Sequence, residues 1–188
     1  FPGRTAHLTE CSGGDWQGST ADAFAGTMYV LTQAPAHWAR SVTLWNLALD
    51  TNHGPTNGGC DNCRGVITVH PDGTWNKEID YWALAHFSRF VEPGARRIAS
   101  GTLAGVNNVA FTNPDGTHVL VAHNTDDTER EVSLRFGDRH ASFTIPAHGA
   151  STISWHGQGQ ELATGSVDLH WGNGLTATFD QAVIEDMD

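Results

Sequence analysis

Near the start of the chain, "LTECSGG" (8–14) sets a single carboxylate, Glu10, after two strand-forming residues and before a Cys-Ser-Gly-Gly turn. A carboxylate at the carboxyl end of a strand can act as a nucleophile or a proton shuttle. Trp16 follows a short way on, where it fits the border of such a site and a packing residue of the loop equally well. Trp45 and Asn46 lie near the end of a second strand-like run, "SVTLWNLAL" (41–49). An indole beside an acid is a flat platform for the apolar face of a sugar ring, and a carboxamide can hydrogen-bond its hydroxyls. Together these groups suit cleavage of a glycosidic bond. Position alone supports blander readings at least as well. Glu10 also fits a helix-start carboxylate or a solvated turn residue, and Trp45 fits a core ring.

A second group of candidates sits in the loop "DTNHGPTNGGCDNCRG" (50–65). Loops this long without structure of their own are unusual in a compact domain and are often functional. Arg64 can reach a substrate hydroxyl or a charged substituent, although loop arginines usually face solvent; Asn57 is a lesser candidate. Cys60 and Cys63 form a C-x2-C pair with three readings: a local disulfide, free thiols, or half of a zinc site. No second C-x2-C or H-x3-H follows at zinc-like spacing, and the pair does not open a helix as a thioredoxin-type motif does. Cys11 is left over. The 11 histidines are scattered. His86 falls on a helix face and reads as a satisfied core histidine, while His123, His140 and His148 lack ligand spacing. No metal and no cofactor is assigned.

These residues need elements to hold them. "AHLTE" (6–10) reads as a strand. "TADAFAGTMYVLTQA" (20–34) reads as a helix, with Phe24, Met28 and Leu31 at helical spacing and Thr20 as its cap. "EIDYWALAHFSRFV" (78–91) is a second helix, with Ile79, Trp82, Ala83, His86, Phe87 and Phe90 on one face; "EPGA" stops it. From about Arg96 the apolar period becomes two. Short runs recur at even spacing and "NPDGT" (113–117) signals a hairpin, the pattern of an antiparallel β-sandwich. "VDLHWGNGLTATF" (167–179) adds one or two strands. Two β-α units are not a domain, because parallel strands need neighbours on both sides. The expectation is α/β plus all-β: residues 1–95 as the C-terminal fragment of a (β/α)8 barrel, strands 7 and 8 with their helices, and 96–188 as a β-sandwich. A whole barrel takes about 250 residues.

The 188 residues are 39% hydrophobic and 16% charged, with a formal net charge of -11. That is a globular composition. Its acidity argues against nucleic acid and anionic membranes as partners. No run approaches the roughly 20 apolar residues of a membrane span. Phe1-Pro2-Gly3-Arg4 has none of the parts of a signal peptide, so the chain reads as a fragment or a processed product.

"LTECSGG", "SVTLWNLALD", "GPTNGGCDNCRGVITV" and "YWALAHFSRFVEPGARRI", in this order and spacing, resemble the C-terminal part of glycoside hydrolase family 30, which includes glucosylceramidases and β-1,6-glucanases. The resemblance runs from about residue 6 to 100 and continues more loosely through the sandwich. It implies a retaining β-glycosidase, secreted or extracytoplasmic, acting on β-linked glucosides or related glycans without a cofactor. It also implies Glu10 as the nucleophile at the end of barrel strand 7, and Trp45 and Asn46 at strand 8, with the indole lining the subsite of the cleaved sugar. The family's acid/base glutamate belongs to an Asn-Glu-Pro motif after strand 4. No such motif occurs here, and Asp50, Asp61 and Glu78 lie in the wrong part of the pattern. The N-terminal barrel portion is therefore an expected partner, and this chain alone is expected to be inactive. The alternative is a non-catalytic carbohydrate-binding or structural β-sandwich fragment.

Overall fold

The computed structural model describes residues 3–137 and 139–156, and the backbone of two further strands, 167–170 and 176–179. Much of the expected sandwich range beyond residue 156, including the acidic tail, lies outside the described residues. The chain divides into two compact units, 1–85 and 86–188.

In the first unit, β1 (Ala6–Gly14) and β2 (Ala39–Trp45) run parallel, joined through α1 (Thr20–Ala36). Parallel neighbours need such a crossover. Phe24, Met28 and Leu31 are buried, as their spacing requires. The helix is capped by Ser19 rather than the expected Thr20. Ser19 Oγ accepts from Asp22 N–H at 3.2 Å, and Asp22 Oδ2 accepts from Ser19 N–H at 3.0 Å. Both hydroxyl residues suit a cap; an acid three positions later selects Ser19 through this reciprocal pair.

The second apolar run does not form one strand. β2 stops at Trp45, and β3 (Ala48–Asp50) starts a separate small sheet with β5 (Ile67–Val69) and β6 (Trp75–Lys77). The intervening loop contains β4 (Cys63–Arg64), which pairs antiparallel with the end of β1. α2 (Ile79–Ser88) ends before the expected residue 91. A turn follows, closed by Val91 N–H donating to Phe87 O at 2.8 Å. Gly94 then takes φ 92°, a left-handed conformation that favours glycine.

In the second unit, β7 (Arg96–Ile98), β8 (Val106–Thr112), β9 (Thr117–Asn124) and β12 (Ala150–His156) form an antiparallel sheet in the order β12-β9-β8-β7. β10 (Arg130–Phe136) and β11 (Arg139–Ile145) form a hairpin, and β13 (Val167–His170) pairs with β14 (Thr176–Phe179). The sheet and the β10–β11 hairpin share two buried clusters. One contains Ala110, Leu120, Ala141, Ile153 and Trp155; the other contains Val106, Ala122, Val132 and Ile145. Two antiparallel layers around one apolar interior make a sandwich. "NPDGT" is the β8–β9 turn: Gly116 has φ 89°, and Asn113 N–H donates to Thr117 O at 2.7 Å.

The second unit begins inside α2, whereas the change of period suggests a boundary at 95/96. The helix's last residues make contacts within this unit. His86 bonds Thr152, and the rings of Phe87 and Phe111 lie 6.4 Å apart. Among the described residues, no helix is long and apolar enough to cross a membrane.

Candidate functional site

Glu10 does not end its strand. β1 continues to Gly14 because Gly13 and Gly14 pair with Arg64 and Cys63. The glycine pair read from sequence as a turn is strand. In the register of β1 on β2, Leu8 faces Val42, Cys11 faces Leu44 and Ser12 faces Trp45. β1 thus uses one more residue than β2 between Leu8 and Cys11, which places a bulge at Thr9–Glu10. Both of these residues are exposed. A bulge inserts an unpaired residue and re-aims its side chain.

Trp45 is the last residue of β2 and is 51% exposed. The Trp45–Asn46 peptide is cis. Asn46 O accepts from Val66 N–H at 3.0 Å, which ties the end of β2 to the start of the β5 segment. Trp16 lies in the 3-10 turn Asp15–Gln17 after β1 and is 53% exposed. Its six-membered ring lies so close over Gly14 that a Cβ there would overlap it and Asn62 O. Glu10, Trp16 and Trp45 therefore sit on or just beyond the carboxyl-terminal parts of two adjacent parallel strands, and all three are exposed.

The long loop is stitched to the turn after β1. Asp15 N–H donates to Asn62 O at 3.0 Å. His53 Nδ1 lies 2.8 Å from Cys63 O, and its Nε2 lies 3.5 Å from Asp15 Oδ2. Cys60 and Cys63 are joined by a disulfide, the first of the three sequence readings, and Cys11 is a free thiol. Asp50 closes the loop's first turn by accepting from Gly54 and Asn52 N–H, each at 2.8 Å. These donors hold its carboxyl below the usual carboxylate range. Asn57 is exposed at φ 48°, next to a turn in which Gly59 N–H donates to Thr56 O at 2.7 Å.

Arg64 is mostly buried, unlike a typical loop arginine. Its Nε donates to Asp80 Oδ2 at 2.7 Å, and its Nη2 donates to Gln17 Oε1 at 2.7 Å. Gln17 Oε1 also accepts from Gly14 N–H at 2.9 Å, and Thr27 Oγ1 donates to Asp80 Oδ1 at 2.6 Å. Sequence reasoning missed Gln17, Thr27 and Asp80. Nothing local marks them, because each partner lies in a different element. The only available signal was Asp80, an acid in the first turn of a mostly apolar helix.

A parallel strand–helix–strand unit with an exposed acid at a bulge within its first strand and exposed indoles at and just beyond its strand ends, joined to an antiparallel sandwich, defines an α/β plus all-β protein with these candidate groups on the α/β part. Residues 94–153 match the glycosyl hydrolase family 30 beta sandwich domain. The chain is 32% identical over 164 residues to an endo-1,6-β-D-glucanase of Aspergillus fumigatus, covering 80% of this chain and 32% of that protein. It is 29% identical over 121 residues to the lysosomal acid glucosylceramidase of Mus musculus, covering 62% of this chain and 23% of that protein. It also superposes on a solved endo-β1,6-glucanase with TM-score 0.74 at 30% identity, covering 83% of this chain and 36% of the other. The chain is a homologue of the C-terminal portion of glycoside hydrolase family 30. It spans about a third of the length of the curated glucanases it matches.

Proposed function

We propose that this chain supplies the nucleophile half of a retaining β-glycosidase that cleaves β-linked glucan, with β-1,6-linked glucan as the first substrate to test. The observation that carries the reading is Glu10 at a bulge, exposed, one strand away from the exposed indole of Trp45. The preference for β-1,6-glucan rests on coverage: relatives named as glucanases align over 80% and 81% of this chain, the glucosylceramidase over 62%.

The chemistry follows from two carboxyls about 5 to 5.5 Å apart. Glu10 attacks the anomeric carbon as the glycosidic bond breaks. A second carboxylic acid protonates the leaving oxygen. Water, deprotonated by that same residue, then cleaves the glycosyl-enzyme. Trp45 and Trp16 offer apolar faces to sugar rings, and Asn46 offers an amide to hydroxyls. The acid/base residue comes from outside these 188 residues. The parallel β1–α1–β2 unit supports a place as the last strands of a (β/α)8 barrel, whose active sites lie at the carboxyl ends of the strands. The Cys60–Cys63 disulfide suits an extracytoplasmic protein.

The test uses the full-length protein that contains this chain. A fluorinated, activated β-glucoside is expected to inactivate it by a covalent bond that peptide mapping assigns to Glu10. Label on another carboxylate would remove the nucleophile assignment.

A further inference from the structure

The hydrogen bonds around Arg64 form a path through five elements. Thr27 of α1 donates to Asp80 of α2; Asp80 accepts from Arg64 of β4; Arg64 donates to Gln17 of the turn; Gln17 accepts from Gly14 of β1. The Arg64 and Asp80 side chains are 16% and 5% exposed. A charge pair this buried is tolerated only where its remaining donors and acceptors are matched, and here Thr27 and Gln17 match them.

Trp16 lies between two residues anchored to the same segment. Asp15 is held by its N–H on Asn62 O, and Gln17 by its side chain on Arg64. Beneath the ring, Gly14 has no side chain to displace it. Gly13 likewise makes room for the guanidinium, since a Cβ there would stand 2.5 Å from Arg64 Nη2 and 2.9 Å from Gln17 Oε1. The residue that follows this half-exposed indole is thus held by a guanidinium fixed on α2 through Asp80, which Thr27 of α1 also bonds.

We infer that Arg64 is a positioning residue for Trp16, and that the pair sets glycan affinity without taking part in bond cleavage. The inference rests on the glycosidase reading above. Arg64 spends two donors in fixed directions on Asp80 and Gln17. A lysine keeps the charge toward Asp80 but cannot hold both in the same fork.

The experiment is steady-state hydrolysis of a β-1,6-linked gluco-oligosaccharide by the full-length protein. Arg64→Lys is expected to raise KM about fivefold, the equivalent of one net hydrogen bond, with kcat nearly unchanged. Trp16→Ala raises KM by itself, and Trp16→Ala/Arg64→Lys is no worse than Trp16→Ala, because the second change acts through a ring already removed. Gly13→Ala displaces the fork from the strand side without deleting a polar group, and gives the same KM signature if the lysine variant does not fold. A fall in kcat at unchanged KM, or a double-variant KM equal to the product of the single effects, overturns the inference. Glu10→Gln in the same assay reports on the chemistry separately. Turnover that survives there removes the nucleophile assignment but leaves the Arg64–Trp16 coupling in KM readable.

Discussion

His86 Nδ1 lies 2.9 Å from Thr152 Oγ1, and Thr152 Oγ1 in turn donates to His86 O at 3.2 Å. With the threonine proton committed to that carbonyl, the imidazole must donate from Nδ1. Both residues are buried, with His86 fully so. His123, 1% exposed, adds a second buried imidazole to the second unit. Burial, followed by the neighbouring histidine, lowers the His86 pKa to about 3. Burial, followed by His148, lowers that of His123 to about 4.

These depressed values make the second unit acid-labile. Between the ordinary value of 6.5 and the folded values, the unfolded chain binds protons that the native state refuses. Stability is therefore complete above pH 6.5 and falls as the pH drops through this window toward 3 to 4. At about pH 5, each histidine held neutral costs about 2 kcal/mol. Urea unfolding at pH 7 and pH 5 is expected to show a loss of about 4 kcal/mol from the two together. His86→Gln, which keeps a donor for Thr152 and cannot titrate, should flatten the slope. Equal stability at both pH values would remove the account.

Asn124 should be the most costly single polar side chain to change in the sandwich. It is fully buried, and its Nδ2 donates to Thr128 O, Ile145 O and Pro146 O at 2.8, 3.2 and 3.0 Å. Its Oδ1 accepts from Asp126 N–H at 3.0 Å. Asn124→Ala leaves those carbonyls without this donor and should destabilise by about 2–3 kcal/mol. Asn124→Asp is expected to be worse, because it turns an acceptor-only carboxylate toward them. Denaturant midpoints at constant m-value measure both.

What could be read from sequence divides along the range of the interactions. The α1 core face and the "NPDGT" hairpin are local patterns, and both occur where expected. The cap moved from Thr20 to Ser19 because two adjacent residues shared the same propensity and only the acid at Asp22 separated them. The true length of β1 was hidden. Gly13 and Gly14 look like a turn until Arg64 and Cys63 arrive from the far end of the loop to pair with them. The Arg64–Asp80 pair was equally hidden, since it joins a loop arginine to the first turn of a helix. At the candidate site, the exposure of Trp45 departs from the core ring that its residue type also allowed, and the bulge at Glu10 needed the register of a second strand.

The Cys60–Cys63 disulfide closes a very short loop, so its removal should cost little globally. The chain-entropy relation gives about 2 kcal/mol for a loop of about four residues. Cys60→Ser/Cys63→Ser should therefore fold, with a lower unfolding midpoint, and reducing agent should lower the wild-type midpoint equally without affecting the double variant. A reductant effect that persists in the double variant would mean that Cys11, the remaining cysteine, is responsible.

The stereochemistry of a rescued reaction distinguishes a nucleophile from an acid/base. In the full-length protein, Glu10→Gly removes the carboxylate and is expected to lower turnover of an activated aryl β-glucoside at least about 10^4-fold. Azide can then enter the space vacated beneath the anomeric carbon. It attacks there as the aryl leaving group departs, and because only one displacement occurs, the product is the α-glucosyl azide. Had Glu10 been the acid/base, a glycosyl-enzyme would still form on the other carboxylate. Azide would displace it in a second inversion and yield the β-glucosyl azide. The anomeric proton coupling of the isolated product separates the two. The α-azide is the expected result, and the β-azide would move Glu10 to the opposite role.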